Sequence, residues 1–148
     1  MPDRKGIAVR GLAIAVLVAA CAAGCMPPDS MGNIPERVRI IDVGEPRYGG
    51  EPGDPLEAAC HEWRLSAQQV AEFFRLGQQY EQPPYAGFYQ LPCSISGKLR
   101  SEGVTWDFTI GGGGTATWSN GGQARHFGCS VEACEPLVLL PADGMDPQ

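Results

Sequence analysis

From Val104 to Ile110 apolar and polar side chains alternate without a break. Val104, Trp106, Phe108 and Ile110 fall on one side, Thr105, Asp107 and Thr109 on the other. A period of two sends successive side chains to opposite faces of a strand, so this segment predicts a sheet with one buried and one wet face. Ser94–Arg100 alternates in the same way, and Ser101-Glu102-Gly103 turns the chain between the two. Thr115–Ser119 and Gln123–Cys129 predict two more strands, joined by Asn120-Gly121-Gly122, a type I′ hairpin signal. Arg37–Val43 is β-branched and predicts a first strand; the apolar run Leu137–Leu140 predicts a last one. Between residues 44 and 55 glycines, prolines and acidic residues predict a loop.

The period changes after Leu65. Val70, Phe73, Phe74 and Leu76 recur at helical spacing, while Gln68, Gln69, Glu72, Arg75 and Gln79 take the other side. Ser66 is a natural N-cap, Gln69 completes a capping box, and Leu65 with Val70 forms the staple across it. The helix is expected to end near Gln79 or Tyr80, before Pro83-Pro84. The fold class that follows is α+β: one amphipathic helix packed on a four- to five-stranded antiparallel meander. Cystatin-like folds are similar in this order of elements. A single domain over residues 37–140 is expected, followed by a disordered tail over 141–148.

The first 25 residues follow another rule. Arg4, Lys5 and Arg10 precede an apolar run of about ten residues, too short for a membrane span of about 20. Small residues then lead to a cysteine. Val18-Ala19-Ala20-Cys21 resembles the lipobox of bacterial lipoproteins. That resemblance implies a signal peptide over residues 1–20, cleavage before Cys21 and acylation of its thiol. Ala22-Ala23-Gly24-Cys25 is a second candidate, but Cys21 carries the aliphatic residue three positions upstream. Ala22, where an Asp often marks inner-membrane retention, implies delivery to the outer membrane. Residues 21–36 then read as a flexible tether.

Removing residues 1–20 takes one acid and three bases from the 17 acidic and 11 basic side chains, leaving 16 and 8. Such an acidic surface repels phosphate backbones and favours cationic partners, which excludes nucleic acid as the expected ligand. Of the six cysteines, Cys60, Cys93, Cys129 and Cys134 lie in the folded part. In an exported chain they predict two disulfides, with three connectivities. Cys60–Cys93 and Cys129–Cys134 are favoured; pairing of Cys60 with Cys129 or Cys134 stays open.

Motifs that carry chemistry are sparse. Gly111–Gly114 lies between strands with no Lys after it, so it predicts a bulge or turn rather than a phosphate cradle. Cys129-x4-Cys134 with His126 lacks the spacing of a zinc site and reads as a disulfide. His61 and His126 are the two histidines; Ser94, Ser96 and Thr117 are available hydroxyls, but no Gly-x-Ser-x-Gly elbow occurs. Glu62 and Asp107 are carboxylates with no evident cleft to pair them. No metal or cofactor is expected. The set Tyr80, Tyr85, Phe88 and Tyr89 with Pro83 and Pro84 presents rigid amphipathic area of the kind that serves protein interfaces, with Tyr85 and Tyr89 the expected exposed members.

Leu65-Ser-x-x-Gln-Val-x-x-Phe-Phe74, Leu91-Pro-Cys-x-x-x-Gly97, Trp106-x-x-x-Ile-Gly-Gly112 and the pair Cys129, Cys134 resemble small exported proteobacterial proteins. This resemblance implies a shared domain and supplies no catalytic residues. The expected function is that of a lipid-anchored outer-membrane lipoprotein whose non-enzymatic domain faces the periplasm and binds an envelope protein, as an inhibitor, an immunity protein or a machine subunit. A periplasmic hydrolase of cell-wall or lipid material, built on His61 or His126, is the alternative.

Overall fold

The alternation of polar and apolar residues is realised as backbone pairing. The computed structural model describes residues 38–144. Its strands are β1 (Arg39–Val43), β2 (Arg47–Tyr48), β3 (Gln78–Tyr80), β4 (Cys93–Ser101), β5 (Val104–Gly111), β6 (Thr115–Asn120) and β7 (Gln123–Gly128). Two helices, α1 (Pro55–Glu62) and α2 (Ala67–Leu76), lie between β2 and β3, and a 3-10 turn spans Glu132–Leu137. All strands pair antiparallel in one seven-stranded sheet of order β1-β4-β5-β6-β7-β3, with β2 continuing the β1 edge along β4. The class is α+β, with both disulfides formed, Cys60–Cys93 and Cys129–Cys134.

Both central hairpins turn on two residues with positive φ. Glu102 (52°) and Gly103 (73°) join β4 to β5; Gly121 (52°) and Gly122 (87°) join β6 to β7. Positive φ at both positions matches the right-handed twist of the flanking strands, which is why Asn120-Gly-Gly is legible as a hairpin. Pairing of Lys98 with Asp107 and of Phe108 with Trp118 then fixes the register.

That register gathers Ile95, Leu99, Trp106, Phe108, Ile110, Ala116, Trp118 and Phe127 on one buried face. Helix α2 covers it. Ser66 Oγ accepts from the Gln69 amide at 3.1 Å, and Gln69 Oε1 accepts from the Ser66 amide at 2.9 Å, so the capping box forms as expected. Val70, Phe73 and Phe74 point inward, and the Phe74 ring meets Phe108, Trp118 and Phe127 edge-on at centroid distances of 5.9, 5.1 and 5.3 Å. Phe73, Val70, Ile95 and Leu99 are fully buried, so large aromatic and branched side chains fill the layer between helix and sheet.

Four differences from the expected element list have physical causes. Helix α1 starts at the last residue of the expected loop and fills residues 56–62, where no element was expected: Asp54 accepts from the Leu56 amide at 2.8 Å and Pro55 stands in the first turn, where a missing N–H costs nothing. Helix α2 stops at Leu76, earlier than expected, because Gln78–Tyr80 pairs with β7 as strand β3. Arg47 and Tyr48 pair with Ser94 and Cys93 as β2. Leu137–Leu140 is not a strand: Leu137 ends the 3-10 turn, where its carbonyl accepts from Trp63 Nε1 at 3.2 Å, and the next residues follow the Gly112 backbone. Beyond residue 140 the Asp143 amide still donates to the Gly87 carbonyl at 3.1 Å. The remainder of the expected tail, together with the expected signal peptide, Cys21 and the tether, lies outside the described residues.

Candidate functional site

Strand β3 delivers the chain into a loop over residues 81–92, which holds the aromatic set singled out from the sequence. Pro84 and Phe88 are buried, whereas Tyr85 is 67% and Tyr89 48% exposed. The loop is held by its core, not by regular structure. A Cβ on Gly128 would stand 2.5 Å from the Phe88 ring, and one on Gly114 would meet the same ring at 3.5 Å. The two glycines therefore form a seat for Phe88. Gln90 Nε2 donates to the Phe88 carbonyl at 3.3 Å, and the Asp143 amide to Gly87.

Gly111–Gly114 takes its role from this loop. The run turns β5 into β6 as expected, with Gly114 at φ 96°. Gly113 lies directly under the Tyr89 carbonyl, where a side chain would overlap it. The Gly112 carbonyl accepts from the amides of Leu139 (2.8 Å) and Leu140 (3.1 Å), its amide donates to Cys93, and the Gly114 carbonyl accepts from Cys129. The glycine turn is thus the point where the tyrosine loop, the C-terminal segment and the Cys129–Cys134 loop meet. Exposed Val131 and Leu140 and the carboxylates of Glu132 and Glu135 border the same end. Residues 129–135 and 141–144 enclose a shallow cavity of about 310 Å³ there.

A second groove, about 220 Å³, lies between the loop and the polar face of the sheet. Pro83, Pro84, Tyr85 and Gln90 contribute from the loop, and Thr115, Thr117 and His126 from the strands. Thr117 pairs with His126 across β6 and β7, which brings Thr117 Oγ1 to 3.5 Å from His126 Nδ1. On its other side Thr117 pairs with Thr109, and Thr109 with Ser96, whose hydroxyls are hydrogen-bonded at 2.9 Å. From the His126 imidazole on β7 a row of three hydroxyl groups, Thr117, Thr109 and Ser96, therefore runs out of the groove across β6, β5 and β4. The groove joins Tyr85 to His126 and Thr117, which the sequence offers as separate candidates, and adds Gln90 and Thr115. The alternation of β6 and β7 was the available signal for the strand members; nothing in the sequence marked Gln90.

The other candidates stand apart. His61, on exposed α1, faces Glu57 Oε1 at 3.8 Å and no hydroxyl. His126 has a hydroxyl but no carboxylate among the residues lining its groove. Acid and nucleophile are thus divided between two histidines on different elements, and neither contact reaches the roughly 3 Å of a working proton relay. Asp107 is ion-paired with Lys98 Nζ at 2.5 Å on the polar sheet face, and Glu62 ends α1, so the two carboxylates do not flank a common cleft. Cys60, Cys93, Cys129 and Cys134 are all consumed in disulfides, with Cα separations of 5.8 and 5.7 Å. Among the described residues no group of three or more His, Cys, Asp or Glu side chains is placed to hold a metal ion, and no helix is long and apolar enough to cross a membrane.

Perturbed acidity lies away from both cavities. The Arg75 guanidinium hydrogen-bonded to Glu72 lowers that carboxyl and raises its own affinity for the proton. Partial burial, then the nearby Asp54, Glu57 and Glu51 carboxylates, raise the Tyr48 phenol. No family model, no curated protein and no solved structure matches the chain.

Proposed function

We propose that this chain is an envelope lipoprotein, anchored through Cys21 to the outer membrane, whose periplasmic domain is non-enzymatic and binds a protein partner. The observation that carries the binding role is the pair Tyr85 and Tyr89, exposed on a loop whose backbone is pinned by buried Phe88. Large amphipathic rings held in place lose little conformational freedom on contact, which is why tyrosines dominate many interface cores. Val131 and Leu140 extend this apolar area around the glycine turn, and Glu132 and Glu135 give it an acidic border. An acidic rim speeds encounter with a cationic partner. An inhibitor or immunity protein acting on a basic enzyme fits this surface, and a subunit of an envelope assembly uses the same contacts. The two disulfides support an oxidising compartment.

The test is site-specific photocrosslinking of the full chain in living cells. Photoreactive residues at Tyr85 and at Tyr89 are expected to give one adduct of the same mass, absent when the probe replaces Glu62 on α1. Equal labelling from all three positions, or none from the tyrosines, would remove the proposal. Cys21→Ser should abolish incorporation of labelled palmitate and release the product from the membrane fraction; retained labelling would remove the assigned anchor.

A further inference from the structure

The polar face of the sheet carries a feature that partner binding at Tyr89 does not use. Ser96, Thr109, Thr117 and His126 are direct cross-strand partners, so their side chains form one row on the face opposite α2. With strands about 4.8 Å apart, the row is roughly 14 Å long. Tyr80, paired with His126, continues it onto β3. One end of this row is the floor of the 220 Å³ groove, walled by Tyr85, Pro83 and Gln90.

The chemistry of the lining selects the ligand. No Lys, Arg, Asp or Glu lines the groove, in a chain with 28 charged side chains, 17 acidic and 11 basic. On the neighbouring row Lys98 is ion-paired with Asp107, and Asp42 stands beyond Lys98 on the edge strand, away from the groove. An ionic ligand would therefore find no counter-charge in the groove itself. An aliphatic one would strip water from hydroxyls and an imidazole that pair with one another (Ser96 with Thr109 at 2.9 Å, Thr117 with His126 at 3.5 Å) and leave their remaining hydrogen-bonding capacity unmet, which is costly. What remains is a neutral molecule with hydrogen-bonding groups spaced along its length and a flat face for a tyrosine ring. Hydroxyl groups and carboxamides both donate and accept, so such a row adapts to a ligand made of the same groups. A groove of this volume holds one ring rather than a drug-sized ligand, for which pockets run from about 300 Å³ upward.

We propose that this face binds a neutral glycan strand, one sugar ring seated against Tyr85 in the groove and its neighbours lying along Thr117, Thr109 and Ser96. The binding mode is shallow and multivalent along the strand, so affinity rises with ligand length: one ring reaches the groove alone, and each further ring adds hydroxyl contacts. The glycan face shares Tyr85 with the proposed protein-binding surface but not Tyr89, Val131 or Leu140, and it stands whether or not a protein partner docks at that end.

The experiment is a titration of the isotope-labelled full chain, held in detergent, by nuclear magnetic resonance with N-acetylglucosamine, chitotriose and maltotriose, and with polygalacturonate as the charged control. Amide shifts at Thr109, Thr117, His126 and Gln90 are expected, with at least one trisaccharide binding about tenfold or more tightly than the monosaccharide. Thr109→Lys, an exposed substitution that leaves the core untouched, and Gln90→Ala should each weaken that trisaccharide about fivefold or more, in line with loss of one hydrogen bond. Tyr89→Ala should leave sugar binding unchanged while removing the protein crosslink, which separates this proposal from the partner-binding one. Absence of shifts at millimolar sugar, shifts confined to the Tyr89, Val131 and Leu140 end, equal binding of polygalacturonate, or indifference to both Thr109→Lys and Gln90→Ala would each overturn it.

Discussion

The guanidinium carbon of Arg125 lies 4.7 Å from the centre of the Trp106 ring, over a tryptophan that is itself buried. The same group stands 5.9 Å from the Trp118 ring, and its Nη2 reaches Glu102 Oε2 at 3.1 Å, at the tip of the β4–β5 hairpin. One side chain thus closes the hairpin end of the core by stacking, while its charge is met by the hairpin itself. Cation–π contact in a partly desolvated position contributes about 0.5–2 kcal/mol, more than an exposed ion pair. Arg125→Ala is expected to cost about 1–2 kcal/mol and to shift tryptophan emission to the red, whereas Glu102→Gln should cost less than about 1 kcal/mol and leave emission in place. Urea unfolding followed by intrinsic fluorescence separates the two; equal costs would show that the ion pair, not the stacking, matters.

The two disulfides close loops of very different length. Cys60–Cys93 spans 33 positions and ties α1 to β4, while Cys129–Cys134 spans 5. On the chain-entropy account, restriction of the unfolded state is worth about 3–4 kcal/mol for the first and about 2 kcal/mol for the second. Replacing Cys60 and Cys93 together by alanine should lower the urea midpoint more than the same change at Cys129 and Cys134. The reverse order would mean that the short loop braces the glycine turn through native contacts.

Gly128 is predicted to be a sensitive support of the tyrosine loop, though it lies outside it. A methyl group there collides with the Phe88 ring, and overpacking of this kind costs about 1–3 kcal/mol. Gly128→Ala should therefore destabilise the domain by that amount and raise hydrogen exchange over residues 85–90. Gly121→Ala offers a contrast, since nothing stands within 4 Å of its Cβ and only its positive φ opposes the change. Faster exchange at Tyr85 and Tyr89 in that variant as well would show that the loop is not held by Phe88.

The acid limb of stability is predicted to carry a contribution from Glu72. Its carboxyl is lowered by the hydrogen bond from Arg75, so the folded state prefers the ionised form. That contribution is complete above the ordinary glutamate range and is lost as pH falls through the lowered value. Glu72→Gln should leave a flatter dependence of the urea midpoint on pH below the ordinary glutamate range. A slope identical to that of the native chain would show the pair to be without weight.

The polar and apolar pattern specified the sheet face by face because each core residue of β4–β7 sits at the period its strand demands. Trp106, Phe108 and Ile110 are buried and Thr105, Asp107 and Thr109 exposed, as alternation requires; Val104, at the hairpin end of the same face, is exposed beyond the reach of the core. Ser66 and Gln69 fixed the start of α2 through bonds three residues apart. Asp54-Pro55 carried an equally local signal for α1, an N-cap followed by a proline in the first turn, hidden among residues that also build loops. The binding candidates were legible only as types of residue. Tyr85 and Tyr89 were exposed as their composition suggested, but Tyr85, Gln90, Thr117 and His126 are brought to one groove from a loop and two strands.

Local order in this protein follows from the sequence alone: the alternating strands, the I′ turn at Gly121-Gly122, the cap at Ser66 and the supply of four cysteines in the folded part are all interactions within a few residues. Tertiary structure decided the rest. Gln78–Tyr80 leaves the helix because β7 offers backbone partners, Leu137–Leu140 forgoes a strand because Trp63 and Gly112 claim its backbone, and Cys60 finds Cys93 because α1 packs on β4. Each of these depends on a partner distant in the chain, and the competition for a backbone hydrogen bond or a buried face is settled only when that partner arrives.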